Sequence, residues 1–414
     1  MKSGKRRIGT SENREIGESK NRSSDFPISR FPDFPISRRE WIGLAGTAAA
    51  GLALGGCASR SAAVAAPSYR RALARRAFAR PHIDPNQVVR TLVGLRPYRP
   101  SGFVVRAERM GEKVVVHNYG HGGGGITLSW GSSALAVREA PDAAPRRAAV
   151  IGSGIMGLTT ARLLQDRGWE VAVYTKALPP HTTSNVAGGQ WSPTSVFEEG
   201  LASAAFEAQF KEAARIAHHA FGALVGSGYG VKWVENYSLS TTPVSTSDTY
   251  YLRELPDLFP SLEMLGPGEH PFPVPYALRF VTMIVEPAIF LRRVTSDVRE
   301  AGGTFVTRDF RDRAEVLALD EPVIFNCTGL GAGLLFGDDE IVPVRGQLAF
   351  VPPDDRLDYL TVGGGQGLLY MFPRSDGLLL GGTFERGATH LTPDPATTER
   401  IVHEHARIAR EMRL

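Results

Sequence analysis

The chain has 414 residues, 43% of them hydrophobic and 22% charged, with a formal net charge of +4. That composition excludes wholesale disorder, and the length suggests roughly two to three domains of about 150 residues each. Its two cysteines, Cys57 and Cys327, exclude a disulfide scaffold and a multi-cysteine metal cluster.

Residues 1–56 hold ten Lys/Arg and six Asp/Glu, so the entire net charge lies there, and the 37 charges of each sign that follow cancel. The basic balance is therefore no sign of nucleic-acid binding. Asp25-Phe26-Pro27-Ile28-Ser29-Arg30 recurs as Asp33-Phe34-Pro35-Ile36-Ser37-Arg38, two copies that read as a low-complexity tail or as a start codon placed too far upstream, not as a solenoid. Ser37-Arg38-Arg39-Glu40-Trp41-Ile42, followed by an Ala/Gly-rich stretch to Gly55, resembles a twin-arginine export signal. Leu54-Gly55-Gly56-Cys57 resembles a lipobox. Together they imply that 1–56 is an export leader and that the mature protein is extracytoplasmic, with lipidated Cys57 as a membrane anchor. Residues 57–80 form a basic segment carrying Arg60, Arg70, Arg71, Arg75, Arg76 and Arg80.

Residues 81–139 contain Gly94-Leu95-Arg96-Pro97 and His117-Asn118-Tyr119-Gly120-His121-Gly122-Gly123. Gly122 to Gly125 then lead into Ile126-Thr127-Leu128-Ser129-Trp130, the start of a helix expected over Ile126–Glu139. Consecutive glycines let backbone N–H groups approach a ligand, and the helix start offers positive charge to an anion. His117 and His121 lie four apart with no third ligand nearby, so they read as structural and no metal site is expected. Residues 140–145, Ala-Pro-Asp-Ala-Ala-Pro, read as a linker.

A strand over Arg146–Ile151 enters Gly152-Ser153-Gly154-Ile155-Met156-Gly157, followed by a helix over Leu158–Asp166 and a strand over Trp169–Tyr174. This βαβ context marks 146–200 as dinucleotide-binding: glycines for the turn, for the approach of a pyrophosphate and for helix packing. Thr175 and Lys176 stand where a ribose-binding acid is expected, which weakens a plain NAD reading. The helix expected over Ser203–Gly222 puts Phe206, Phe210, Ala213, Ala214, Ala217 and Phe221 on one face, so His218 and His219 also read as structural. Leu368 to Phe372 reads as an apolar strand, and a last helix is expected around Thr397–Arg410.

Several segments resemble the D-amino-acid oxidase family: His181-Thr182-Thr183-Ser184-Asn185-Val186-Ala187-Gly188-Gly189-Gln190-Trp191, Asn326-Cys327-Thr328-Gly329-Leu330-Gly331, Val344-Arg345-Gly346-Gln347, Tyr370-Met371-Phe372-Pro373 and Gly381-Gly382-Thr383-Phe384. The motifs around Arg96 and His117 are the most specific. The resemblance implies an α/β fold, with a Rossmann-like FAD-binding domain and a second, substrate domain containing an antiparallel sheet. It implies FAD as cofactor, a D-amino acid as substrate and dioxygen as oxidant. It implies that Arg96 and Tyr370 bind the substrate carboxylate and that the Gly123 carbonyl takes the amino group. FAD contacts would come from Gly152, Ser153, Gly154, Ile155, Met156, Gly157, Thr183, Ser184, Gly188, Gly189, Gln190 and Phe310, and from Gly122, Gly123, Gly124, Gly125, Ile126 and Thr127. No acid or base residue is expected, because hydride would pass from Cα directly to the flavin.

In the family the GxGxxG precedes the Arg96-type and His117-type motifs; here it follows them. The resemblance therefore implies a circular permutation, with 81–139 as the displaced C-terminal part and 140–145 as the join. The remaining chain would divide into 201–284 (substrate domain), 285–350 (FAD-binding domain) and 351–414 (substrate domain). Gln366 stands where some members carry a lid tyrosine, which implies a short lid. Ile284 stands where aspartate-specific members carry Arg, which favours neutral substrates. Two other expectations stay open: a dehydrogenase that passes electrons to a quinone, suggested by the lipobox, and a non-catalytic flavin- or ligand-binding lipoprotein.

Overall fold

Two β-sheets carry the fold of the computed structural model, which describes residues 77–141 and 145–414, all within the unit Ala65–Leu414. The expected export leader, Cys57 and most of the basic segment 57–80 lie outside the described residues. In chain order the strands are β1 (Arg90–Tyr98), β2 (Val104–Met110), β3 (Lys113–Tyr119), β4 (Arg147–Ile151), β5 (Glu170–Thr175), β6 (Val231–Ser240), β7 (Glu263–Leu265), β8 (Tyr276–Val285), β9 (Thr304–Thr307), β10 (Val323–Asn326), β11 (Val342–Val351), β12 (Tyr359–Gly363), β13 (Tyr370–Arg374), β14 (Gly377–Gly381) and β15 (Glu385–Arg386). The helices of more than ten residues among the described residues are α1 (Gly125–Arg138), α2 (Ile155–Gln165), α3 (Ala204–Ala223), α4 (Pro287–Glu300) and α5 (Pro395–Glu411).

The six-stranded sheet runs β2-β3-β10-β4-β5-β9. It is parallel from β3 to β9, with β2 as an antiparallel edge. All of β10 and all but the first residue of β4 are buried, as expected for parallel strands covered on both faces. The chain leaves β4 through α2 to β5 on one side, while β10 lies on the other. The strand order thus reverses beside β4, and a crevice opens at the C-terminal ends of β4 and β10. The helix α2 starts at Ile155, three residues before the expected Leu158, because Gly157 packs inside the first turn. Helix α1 is buried from Ile126 to Val137, as a central helix must be when it is apolar on all sides. Its Gly131 lets α3 approach closely: a Cβ there would lie 1.8 Å from the Ala213 carbonyl oxygen.

The nine-stranded sheet runs β1-β11-β14-β13-β12-β6-β8-β7, with β15 beside β11. Alternation splits its side chains between two cores. Leu378 and Leu380 join Ile401, Val402 and Ile408 of α5 on one face. Leu379, Tyr370, Phe372, Leu360 and Ile284 cluster on the other, with Val186 of the loop after β5. Both sheets draw on separated parts of the chain. One expected boundary shifts: β11, within 285–350, pairs with β1 and β14 in the large sheet rather than in the nucleotide-binding one, because its ten residues continue the antiparallel ladder.

Candidate active site

The glycine loop after β4 is shaped by close backbone contacts. Gly152 has φ +109°, and a Cβ on it would lie 2.6 Å from the Cys327 carbonyl oxygen at the end of β10. A Cβ on Gly157 would lie 1.8 Å from the Gly152 carbonyl oxygen. No side chain of the N-cap residue, Gly154, closes the start of α2, but Ile155 N donates to Ser184 Oγ at 2.9 Å. That bond ties the predicted loop Thr183–Gln190 to the predicted phosphate-facing helix end. Ser153 and Met156 are buried. Thr175 is also buried and donates to the Ala177 carbonyl oxygen at 2.8 Å, while Lys176 is exposed. Phe310 is a core side chain, 6.0 Å ring to ring from Tyr174.

The second helix start, at α1, follows Gly122–Gly124, and again carries no side-chain cap. Gly122 has φ +54°, and a Cβ there would lie 2.4 Å from the Ser195 carbonyl oxygen. Gly123 N donates to that same oxygen at 2.9 Å, and Gly123 is exposed. Ile126 is buried. Thr127 Oγ1 donates to the Ser192 carbonyl oxygen at 3.1 Å, pinning the Gln190–Ser192 segment to α1. His121 is buried and stacks on Phe103 with centroids 4.6 Å apart; burial pushes its pKa down to about 3. His117 is buried too, its pKa lowered first by burial, and its Nδ1 pairs with Asn326 Nδ2 at 3.0 Å. These contacts make both histidines neutral structural groups.

Arg96 and Tyr370 meet on the inner face of the large sheet. Their strands are separated by β11 and β14, and three glycines clear the space between them. Arg96 lies over Gly346, where a Cβ would come within 2.3 Å of Nη1. Tyr370 lies over Gly381 and Gly382, with its hydroxyl 2.8 Å from where a Gly382 Cβ would be. Arg96 Nη1 donates to the Thr383 carbonyl oxygen at 3.3 Å, and Phe384 lies 5.7 Å from the guanidinium. The Tyr370 pKa is raised by burial, opposed by the charge and hydrogen bond of Arg96, so the phenol stays protonated as a donor. A guanidinium and a phenol that converge over backbone form a site for a carboxylate. Gly188 sits against Phe372 and Tyr370, which sets the Thr183–Gln190 loop between this pair and the α1 start.

Arg99, by contrast, is tied to Asp338 at 2.9 Å and Glu340 at 3.1 Å and is structural. Arg345 is buried and holds the 385–392 loop through Glu385 and the carbonyl oxygens of His390 and Thr392. Sequence reasoning missed the backing of the site: Gly346, the Thr383 carbonyl, and His405, whose Nε2 donates to the Gly381 carbonyl oxygen at 2.9 Å. It also missed Asn236, whose Oδ1 accepts from Gln190 Nε2 at 3.1 Å. The only local signal was that Asn236 and Ser238 alternate with Tyr237 and Leu239 along the strand.

This donor set fits a flavin dinucleotide. Glycines keep the backbone bare at both helix starts, and both starts are positive ends suited to a pyrophosphate and to an electron-rich ring. The DAO family of FAD-dependent oxidoreductases matches residues 147–412. A D-amino-acid oxidase of Streptomyces coelicolor is 32% identical over 267 residues, covering 64% of this chain and 78% of that protein. One of Rubrobacter xylanophilus is 33% identical over 264 residues, covering 62% and 75%. The solved structure of glycine oxidase from Geobacillus kaustophilus matches with a TM-score of 0.50 at 18% identity, covering 64% of this chain and 78% of that one. The chain thus belongs to the DAO family of FAD-dependent oxidoreductases, with FAD as its cofactor and amino acids as the class of compound it acts on.

Proposed function

We propose that the protein oxidatively deaminates neutral D-amino acids to 2-oxo acids and ammonia. The observation that carries this reading is the Arg96–Tyr370 pair, seated over the bare backbone of Gly346, Gly381 and Gly382 and beside the loop tied to both helix starts. Arg96 grips the substrate carboxylate with two parallel bonds, and the Tyr370 hydroxyl donates a third. The exposed Gly123 carbonyl accepts from the amino group and sets which Cα hydrogen faces the cofactor. FAD, when bound, would supply the redox chemistry, hydride acceptance from the substrate and electron transfer to dioxygen with release of hydrogen peroxide. The imino acid then hydrolyses in water. The uncapped start of α1 would offer its positive end to negative charge developing on the cofactor. Ile284 is fully buried among Val234, Leu360 and Phe372, where it offers no partner to a second carboxylate.

The test is anaerobic flavin reduction by D-alanine and D-methionine, with the L-isomers as controls. Reduction by no D-amino acid overturns the reading. Turnover with a quinone-like dye but not with oxygen would favour the dehydrogenase suggested by the lipobox. A flavoprotein whose properties survive Arg96→Ala unchanged would be a binding protein only.

We infer in addition that the chain order is rotated relative to its relatives. The family match begins at 147, yet β1 and the unit β2-β3-α1 before it are integral parts of the two sheets. A chain re-joined so that 145–414 precedes 81–139 should fold and hold FAD equally well. We also propose export and anchoring through Cys57, checked by membrane fractionation of wild type against Cys57→Ser.

A further inference from the structure

The two halves of the carboxylate site stand on elements that one short segment ties together. Arg96 is on β1, and the chain enters β1 through residues 77–89. Tyr370 lies over Gly381, whose carbonyl oxygen accepts from His405 Nε2 of α5 at 2.9 Å. The start of the segment, Phe78–Arg80, is docked on α5 and on the α5 side of the large sheet. Phe78 packs edge-on against Tyr237, Phe272 and Tyr359, with ring centroids 5.5, 5.8 and 5.4 Å away. The Tyr359 hydroxyl donates to the Ala79 carbonyl oxygen at 2.8 Å, and Arg356 Nη2 to that of Arg80 at 3.2 Å. These contacts hold the Arg80 guanidinium against the end of α5.

Arg80 Nη1 donates to the carbonyl oxygens of Ala409, at 3.2 Å, and of Arg410, and Nη2 donates to that of Met412 at 2.9 Å. The last carbonyls of a helix have no partner within it, and a cation there also meets the negative end of the helix dipole. Arg80 thus caps α5 from 329 positions away in sequence. The start of α5 is fastened separately: Gln347 Nε2 donates to the Asp394 carbonyl oxygen at 2.7 Å and to Thr398 Oγ1 at 2.8 Å. The end that Arg80 caps is the one that serves Tyr370. His405 lies one helical turn before Ala409, so its place depends on the last turn being closed. Helix ends fray, and an uncapped last turn opens first. Opening that turn loosens His405, and with it the Gly381 peptide on which the Tyr370 ring rests.

We propose that Arg80 is a positioning residue for the carboxylate site: by closing the last turn of α5 it keeps His405 on the Gly381 carbonyl and the Tyr370 hydroxyl in place for the substrate. This deepens, and rests on, the D-amino-acid reading of the Arg96–Tyr370 pair.

The experiment compares wild-type holoenzyme with Arg80→Ala, Arg80→Lys, Tyr370→Phe and the double variant Arg80→Ala/Tyr370→Phe, with D-alanine or D-methionine as substrate. Arg80→Ala should raise KM at least about threefold and leave kcat and bound flavin as they were. Hydrogen–deuterium exchange should quicken over residues 405–412. Arg80→Lys, which keeps a cation at the helix end, should restore most of the wild-type KM. In the Tyr370→Phe background, removal of Arg80 should raise KM no further, because the hydroxyl it positions is gone. A merely structural Arg80 would lower Tm and leave KM unchanged, or raise KM equally in both backgrounds. Either result overturns the proposal, and so does unchanged exchange over 405–412. With an active wild type these outcomes judge Arg80 alone. A wild type whose flavin no D-amino acid reduces removes the underlying reading and this proposal with it.

Discussion

Arg96 lies flat across the backbone of Gly346, so close that a Cβ on Gly346 would come within 2.3 Å of Nη1 and 2.7 Å of Cζ. The glycine is thus part of the proposed carboxylate site although it contributes no side chain. Gly346→Ala should push the guanidinium off the sheet and lose about 2 kcal/mol of charge-assisted binding, roughly thirtyfold in kcat/KM. The loss should fall mainly on KM, measured with any accepted amino acid, because bound flavin is untouched. An unchanged KM would show that Arg96 does not bind from this position.

Tyr370→Phe keeps the ring, which stacks on Phe372 at 4.9 Å, and removes only the hydroxyl. The expected outcome is a KM raised about tenfold with the protein as stable as before. Arg96→Ala should cost more. The double variant should lose less than the two single losses combined, since both groups hold one carboxylate. Steady-state kinetics on the four proteins checks this.

Gly157→Ala would place its Cβ 1.8 Å from the Gly152 carbonyl oxygen, a contact that only backbone movement can relieve. The turn and the start of α2 would separate, and FAD affinity should fall at least about a hundredfold. The protein should purify with its visible flavin absorbance largely lost and regain it only in excess FAD.

His405 is buried and donates to the Gly381 carbonyl oxygen at 2.9 Å; burial holds its pKa down to about 4. In the unfolded chain a histidine titrates near 6.5. As pH falls below about 6.5 the unfolded state takes up the proton first, so the stability is complete above that pH and is lost progressively down to about pH 4. The contribution is about 3 kcal/mol at the limit. His121, with its pKa near 3, adds a loss of the same sign. His405→Gln should therefore flatten the decline of Tm between pH 6.5 and 4, measured by thermal unfolding of the holoenzyme.

What could be read in the sequence depended on how local the cause was. The β4–α2–β5 unit was legible because glycine spacing and apolar runs within thirty residues dictate it. The Arg96 motif was legible only as a resemblance, since what seats Arg96 is Gly346, brought to it by the pairing of β1 with β11 across the fold. The same non-local ladder moved residues 342–351 from the nucleotide-binding part to the large sheet. Gln190 was expected at the cofactor; its backbone lies beside α1, and its side chain pairs with Asn236. The alternation of Asn236 and Ser238 marks the strand face, but the partner could not be read locally, because the pairing joins a loop to a strand 46 positions later.

The place of β10 in the small sheet bears on how the protein is made. A growing chain has β2, β3, α1, β4, α2 and β5 in hand once residue 175 has been synthesised. Yet β3 and β4 do not touch as neighbours: β10, residues 323–326, stands between them. The strand that completes the nucleotide crevice is thus among the last to be translated, and it must enter the middle of the sheet rather than extend an edge. Cofactor capture then waits on most of the polypeptide, and a ribosome-released fragment ending near residue 310 would carry every glycine of the motif and still hold no flavin.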